Sequence, residues 1–232
     1  DYVINGQKIW TTGAQFADWM YMLVRTDPDA PKHRGITYLL VDMKSPGVTV
    51  RPLTTLAGTQ AFNEVFFEDV RVPVENRVGE ENRGWYVGTT TLDFERSSIG
   101  SAVGIRKQLE RLITQARKAD STVSFDNRAT VRAEFTERWI ECEVAKMLSY
   151  RVVSMQANGL IPNHEASMCK LFSSELGQRI ANLSMHLNGM HGAVRNSASM
   201  GYMQAVSSTI AGGTTEVQKG IIATRGLGLP RG

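Results

Sequence analysis

The run Leu92-Asp93-Phe94-Glu95-Arg96 decides how this chain is read. It lies in a long helical pattern between Gly84 and Lys118. Leu92, Ile99, Ala102 and Val103 stand at i−3, i+4, i+7 and i+8 from Glu95, so they share its face. A carboxylate on an apolar stripe costs free energy unless it is paired or kept protonated. A carboxyl whose pKa is raised in this way is also a competent base near neutral pH. Two roles therefore compete for Glu95: a stripe-edge side chain that reaches solvent or pairs with an arginine, and a catalytic base.

Toward the N-terminus the helical period gives way to β. Trp19–Val24, Ile36–Val41, Val48–Leu53 and Val65–Val72 are rich in β-branched and aromatic residues and read as strands. Turn signals separate them at Asp27-Pro28-Asp29, Ser45-Pro46-Gly47 and Gly58-Thr59. Asn5-Gly6 predicts a hairpin turn after a first strand, because a type I′ turn needs positive φ at both central positions. The chain opens on Asp1 directly into Tyr2-Val3-Ile4, with no signal peptide, which reads as entry into the middle of a sheet. A fragment or processed form of a longer polypeptide is the expectation.

Toward the C-terminus the helical pattern continues. One helix is expected over about 84–118. A second, over about 128–157, faces Phe135, Trp139, Cys142, Leu148 and Val152 inward. A third, over about 164–188, does the same with Met168, Phe172, Leu176, Ile180, Leu183 and Leu187, and Pro162-Asn163 supplies its stop and cap. A short helix over Tyr202–Ser208 precedes a last one over about 215–225, capped by Thr214 and closed by Gly226 and Pro230. The expected fold class is α+β: a small antiparallel β sandwich or barrel (residues 1–78) followed by an antiparallel four-helix bundle (residues 79–232).

Bulk properties exclude several classes. The 232 residues can bury a sizeable core, and 42% hydrophobic with 21% charged residues is ordinary for a globular protein. The net charge of +3 is scattered, so no basic stripe points to nucleic acid. No apolar run approaches the roughly 18–20 residues of a membrane span. Cys142 and Cys169 lie in helical patterns without metal-ligand spacing and read as small core residues in a reducing compartment.

Four runs, in order, resemble the acyl-CoA dehydrogenase family. They are Asn5-Gly6-Gln7-Lys8-Ile9-Trp10-Thr11-Thr12, Phe66-Phe67-Glu68-Asp69-Val70-Arg71-Val72-Pro73, Leu92 to Arg96, and Gly212-Gly213-Thr214-Thr215-Glu216-Val217-Gln218. The resemblance covers about residues 2–230. It implies that family's middle β domain and C-terminal helical domain, without its N-terminal helical domain.

The resemblance also implies chemistry. Family members desaturate an acyl-CoA between Cα and Cβ: a carboxylate takes the α-proton while a hydride passes to N5 of FAD. Many members carry the base just before the Gly-Thr of the last loop, where this chain has Gly212. A second branch carries it on the long helix before an Arg, which Glu95-Arg96 matches, so Glu95 is the implied base. Asp93, Arg96 and Gly213 fall at substrate positions. Trp10 and Thr12 fall beside the flavin, and on a strand two residues apart they share one face. Thr214 and Glu216 fall near its ribityl and pyrophosphate. His186 and Gly189 fall in a loop that meets the dinucleotide of a neighbouring subunit, with His186 where the family has Gln.

Many members also carry an Arg-x-x-Phe-Gly motif that this chain lacks between Arg117 and Asp126. The implied partners are acyl-CoA, an electron-transferring flavoprotein, and further subunits in a homo- or hetero-oligomeric dimer of dimers. The implied location is the bacterial cytoplasm, or the mitochondrial matrix in a eukaryote. Competing readings are a related flavin oxidase or monooxygenase, and a non-catalytic subunit or fragment.

Overall fold

The structure, a computed structural model, describes residues 1–95, 99–117 and 129–230, with side chains for all of these except 93–95, 99 and 100. The chain forms two compact units, residues 1–91 and 92–232.

The first unit is an antiparallel β sandwich. β1 (Tyr2–Lys8), β5 (Phe62–Val72) and β4 (Val48–Leu53) form one sheet in that order, and β2 (Trp19–Arg25) pairs with β3 (Ile36–Asp42) in the other. Ile4, Val65, Phe67, Val70 and Val72 of the first sheet pack in one core with Met22, Leu39 and Val41 of the second. Alternating inward side chains of the strands fill this core. α1 (Gly84–Glu95) begins within this unit.

Asn5-Gly6 is not a turn. Both residues lie inside β1, which runs unbroken along β5. The register passes from Ile4↔Val70 to Gly6↔Phe67, so Glu68 and Asp69 together oppose Asn5 in a β-bulge. Asn5 locks it: its side chain accepts from the Asp69 amide at 2.9 Å and donates to Asp69 Oδ1 at 2.9 Å. Asp69 sits at φ 51. The bulge explains the β5 pattern. Asn63, Val65 and Phe67 point inward, then Val70 and Val72 do, one residue out of phase.

The second unit is helical. α2 (Ile99–Ala116), α3 (Ala129–Ala157) and α4 (His164–Asn188) build its core, and α5 (Ser197–Ser208) and α6 (Thr215–Ile221) pack on α4. A π-helical turn, Ile222–Gly226, continues α6. The pattern expected over 84–118 is described as two segments, α1 and α2; residues 96–98 and 118 lie outside the described ones. Ala102, Leu109, Leu112 and Ala116 of α2 meet Phe135, Cys142 and Ala145 of α3 and Leu176, Ile180 and Leu183 of α4. These are i, i+3, i+4 and i+7 stripes.

Three details depart from the sequence reading. Trp139 is 36% exposed and Leu148 only half-buried, because Ala145 and Ser149 take the innermost α3 positions. Met168 is 39% exposed, and Ala166 and Cys169 are buried beside it. Asn163 stands at the N-cap of α4 but its side chain makes no capping bond. The two cysteines are buried and unpaired, as core residues.

Candidate functional site

The loop between α5 and α6 is built from backbone. Ile210 and Ala211 amides bond to the Ser207 carbonyl, and the Thr215 amide closes the loop on the Thr209 carbonyl at 3.1 Å. Gly212 and Gly213 carry φ of 69° and 102°, where a side chain is strained. Thr214 caps α6, its hydroxyl accepting from the Val217 amide at 3.3 Å.

Two side chains that sequence reasoning missed hold this loop from inside. Gln218, on α6 and 0% exposed, donates its amide to the Gly212 carbonyl at 2.9 Å and to the Gly213 carbonyl at 3.5 Å. Lys170, half-buried on α4, donates to the Gly213 carbonyl at 2.5 Å. The available signal was weak: a lysine between Ala166 and Ser173 on a stripe of small residues, and a glutamine one turn into a short helix.

Glu216 is exposed, and its carboxyl is held below the usual carboxylate range by its own backbone amide and by the Thr214 hydroxyl. It stays ionised at the start of α6, which makes Thr214 the better neighbour for an anionic ligand.

Trp10 and Thr12 do not share a strand face. β1 ends at Lys8, and Trp10 sits at φ 63 in the loop that follows. The Thr11 and Gly13 amides bond to the Asn63 and Ala61 carbonyls, both at 3.0 Å, so that loop rides on the lead-in and start of β5. The Trp10 indole is 63% exposed, edge-on to Phe62 at 6.0 Å between centroids. Thr12 is exposed beside it.

His186 is exposed in the last turn of α4, and Gly189 ends that helix, its amide donating to the His186 carbonyl. Sixteen residues of helix separate His186 from Lys170, about 24 Å of rise. Within one chain, His186 and Gly189 are therefore not brought together with Thr214 and Glu216.

A cavity of about 880 Å³ runs between α2, α4 and α5 and reaches Leu92 and Gly212. Gly104, Gly177 and Gly201 line it, and a Cβ on any of them would meet nothing within 4 Å. Lys170 and Ser173 face it from α4. Asp93 and Glu95 lie in the last turn of α1 with their side chains outside the described residues, as are Arg96 and the stretch 118–128. Among the described residues no group of three or more His, Cys, Asp or Glu could hold a metal ion, and no helix is long and apolar enough to cross a membrane.

Comparison with known proteins matches this architecture. The family described as "Acyl-CoA dehydrogenase, middle domain" matches residues 1–70, and "Acyl-CoA dehydrogenase, C-terminal domain" matches residues 82–227. Acyl-CoA dehydrogenase FadE34 of Mycobacterium tuberculosis is 36% identical over 99% of this chain and 32% of its own length. Acyl-CoA dehydrogenase IpdE1 of the same organism is 34% identical over 99% of this chain and 60% of its own. The structure of the ChsE4-ChsE5 complex from Mycobacterium tuberculosis superposes with a TM-score of 0.81 at 33% identity, covering 100% of this chain and 62% of that one. The chain thus spans less than two thirds of each of these three proteins. On its fold, its loop geometry and these matches, the chain belongs to the acyl-CoA dehydrogenase family.

Proposed function

We propose that the chain supplies the middle and C-terminal parts of an FAD-dependent acyl-CoA dehydrogenase. The observation that carries this reading is the family match across both units, residues 1–70 and 82–227.

The residues present fit a flavin. In the first unit the exposed Trp10 indole offers a flat apolar surface and Thr12 a hydroxyl beside it; in the second, taken by itself, the Gly212-Gly213 loop offers a backbone free of side chains. With FAD bound, its isoalloxazine ring supplies the hydride acceptor. Thr214 and Glu216 would face its ribityl and pyrophosphate, with the already capped Thr214 hydroxyl fixed in direction. His186 and Gly189, a helix length away, would serve the dinucleotide of another subunit.

Glu95 takes the α-proton of the acyl-CoA thioester. Position 212 has no side chain to do so, which leaves the carboxylate on α1. Asp93, Arg96 and Gly213 are the substrate positions that the resemblance implies, an arginine being suited to an anionic CoA group. An electron-transferring flavoprotein would be the electron acceptor of such an enzyme. Assembly with a like or unlike subunit is part of this proposal; the separation of His186 from the Gly213 loop supports it, and a relative, ChsE4-ChsE5, is a complex of two proteins.

The test is the absorbance of the full-length protein. A yellow protein whose flavin bleaches on adding acyl-CoA supports the reading. A colourless protein that cannot be reconstituted with FAD sinks it, leaving a non-catalytic subunit.

A further inference from the structure

The Gly212-Gly213 loop has its two carbonyls pulled toward the protein. Gln218 takes the first, and Lys170 with Gln218 takes the second. The described peptide bonds are all trans, and in a planar trans peptide the N–H points opposite to the C=O. Holding the Gly212 and Gly213 carbonyls inward therefore turns the amides of Gly213 and Thr214 outward.

The arrangement is costly to keep. Gln218 is wholly buried, and its Oε1 has no hydrogen-bond partner among the described residues. An apolar side chain of the same size would remove that cost. A half-buried lysine likewise gives up hydration to reach a backbone carbonyl. The second glycine suits its φ of 102°, where an L side chain is strained, and a Cβ there would also crowd the Gln218 amide. Three positions on two helices and one loop thus converge on the orientation of two peptide groups. Sequence elements that break a local rule in concert mark a functional place.

We propose that Lys170 and Gln218 are positioning residues for FAD: they fix the loop so that the Gly213 and Thr214 amides are presented as donors on its ligand side. The inference rests on the flavin reading above. Neither side chain touches the flavin. Each acts through the peptide it holds, and preorganised donors of this kind need no rearrangement when the ligand arrives.

The experiment uses the full-length protein as wild type, Lys170→Met, Lys170→Arg and Gln218→Leu. FAD affinity is measured by fluorescence titration, and hydrogen exchange is followed over residues 210–218 with and without FAD. Lys170→Met and Gln218→Leu are expected to weaken FAD binding about tenfold to a hundredfold, and Lys170→Arg to recover most of it. In wild type FAD slows exchange over 210–218, and in Lys170→Met that slowing is lost while exchange around Leu176 in α4 is unchanged.

Wild-type affinity in Lys170→Met and Gln218→Leu would overturn the proposal and leave the flavin reading standing. So would loss of protection around Leu176, which marks a purely structural anchor. A wild-type protein that takes up no FAD overturns the flavin reading, and this proposal with it. If Lys170→Met does not fold, Lys170→Gln, which keeps a donor without the charge, is read by the same two measurements.

Discussion

The guanidinium carbon of Arg106 lies 4.5 Å from the ring centroid of Trp139. The same guanidinium pairs with Glu143 of α3 and, at 3.0 Å, with Glu110 of its own helix. Arg106 thus clasps α2 to α3 across the edge of the core, and Trp139 stays at the surface as its platform. The pair partners are about a third or more exposed, so solvent screens most of the Coulomb term. Arg106→Ala should lower stability modestly, through lost cation–π contact, packing and a weak ion pair together. The check is the urea midpoint at low and high salt: a largely salt-insensitive loss supports the packing share, and no loss removes the clasp.

Gly213 and Gly104 should respond in opposite directions to alanine. At Gly213 the added Cβ meets both a φ of 102° and the Gln218 amide. A loss of at least about 1–2 kcal/mol is expected. Gly104 lies inside α2 with open space around it. There alanine should stabilise by about 0.5–1 kcal/mol. Melting temperatures of the two variants settle the matter, and equal shifts of the same sign would contradict it.

Burial pushes the Cys142 thiol from 9.0 up to about 11. A raised folded-state pKa contributes stability that is complete below the unfolded value and is lost as pH rises through the folded one. Cys142 should therefore drain stability between about pH 9 and about pH 11, by at most about 3 kcal/mol. Unfolding free energies across that window should fall less steeply in Cys142→Ala than in wild type. Identical slopes would show that the thiol does not titrate on unfolding.

Glu95→Gln is expected to slow flavin bleaching by acyl-CoA by on the order of 10²–10⁴-fold while FAD content stays normal. Stopped-flow absorbance of the full-length protein measures it. Bleaching at the wild-type rate would exclude Glu95 as the base.

Period and turn chemistry made much of the fold legible. The bounds of β4 and α4 were readable from residue types alone, because each element is bracketed by a proline or glycine signal and carries its own stripe. Asn5-Gly6 misled because its true partner, Asp69, lies 64 residues away; a bulge and a turn ask for the same residue types locally. Trp10 misled for the same reason, its positive φ being imposed through the Asn63 and Ala61 carbonyls rather than by its neighbours in sequence. The glycine loop of the site was visible as a motif. Lys170 and Gln218 were not, since each contacts carbonyls, and a carbonyl leaves no trace in a side-chain pattern.

Gly212 contributes no side chain, yet its loop keeps its shape through contacts made to main-chain oxygen. The conformation there is indifferent to what residue 212 carries, apart from roughly 1–2 kcal/mol for a non-glycine at positive φ. A Cβ there would meet only the Lys170 Cε, at ordinary contact distance, so a side chain can be gained or lost at this place with little change in the backbone. Under the proposed assignment of Glu95, the proton-abstracting group is in that sense a part that the scaffold can carry in more than one place.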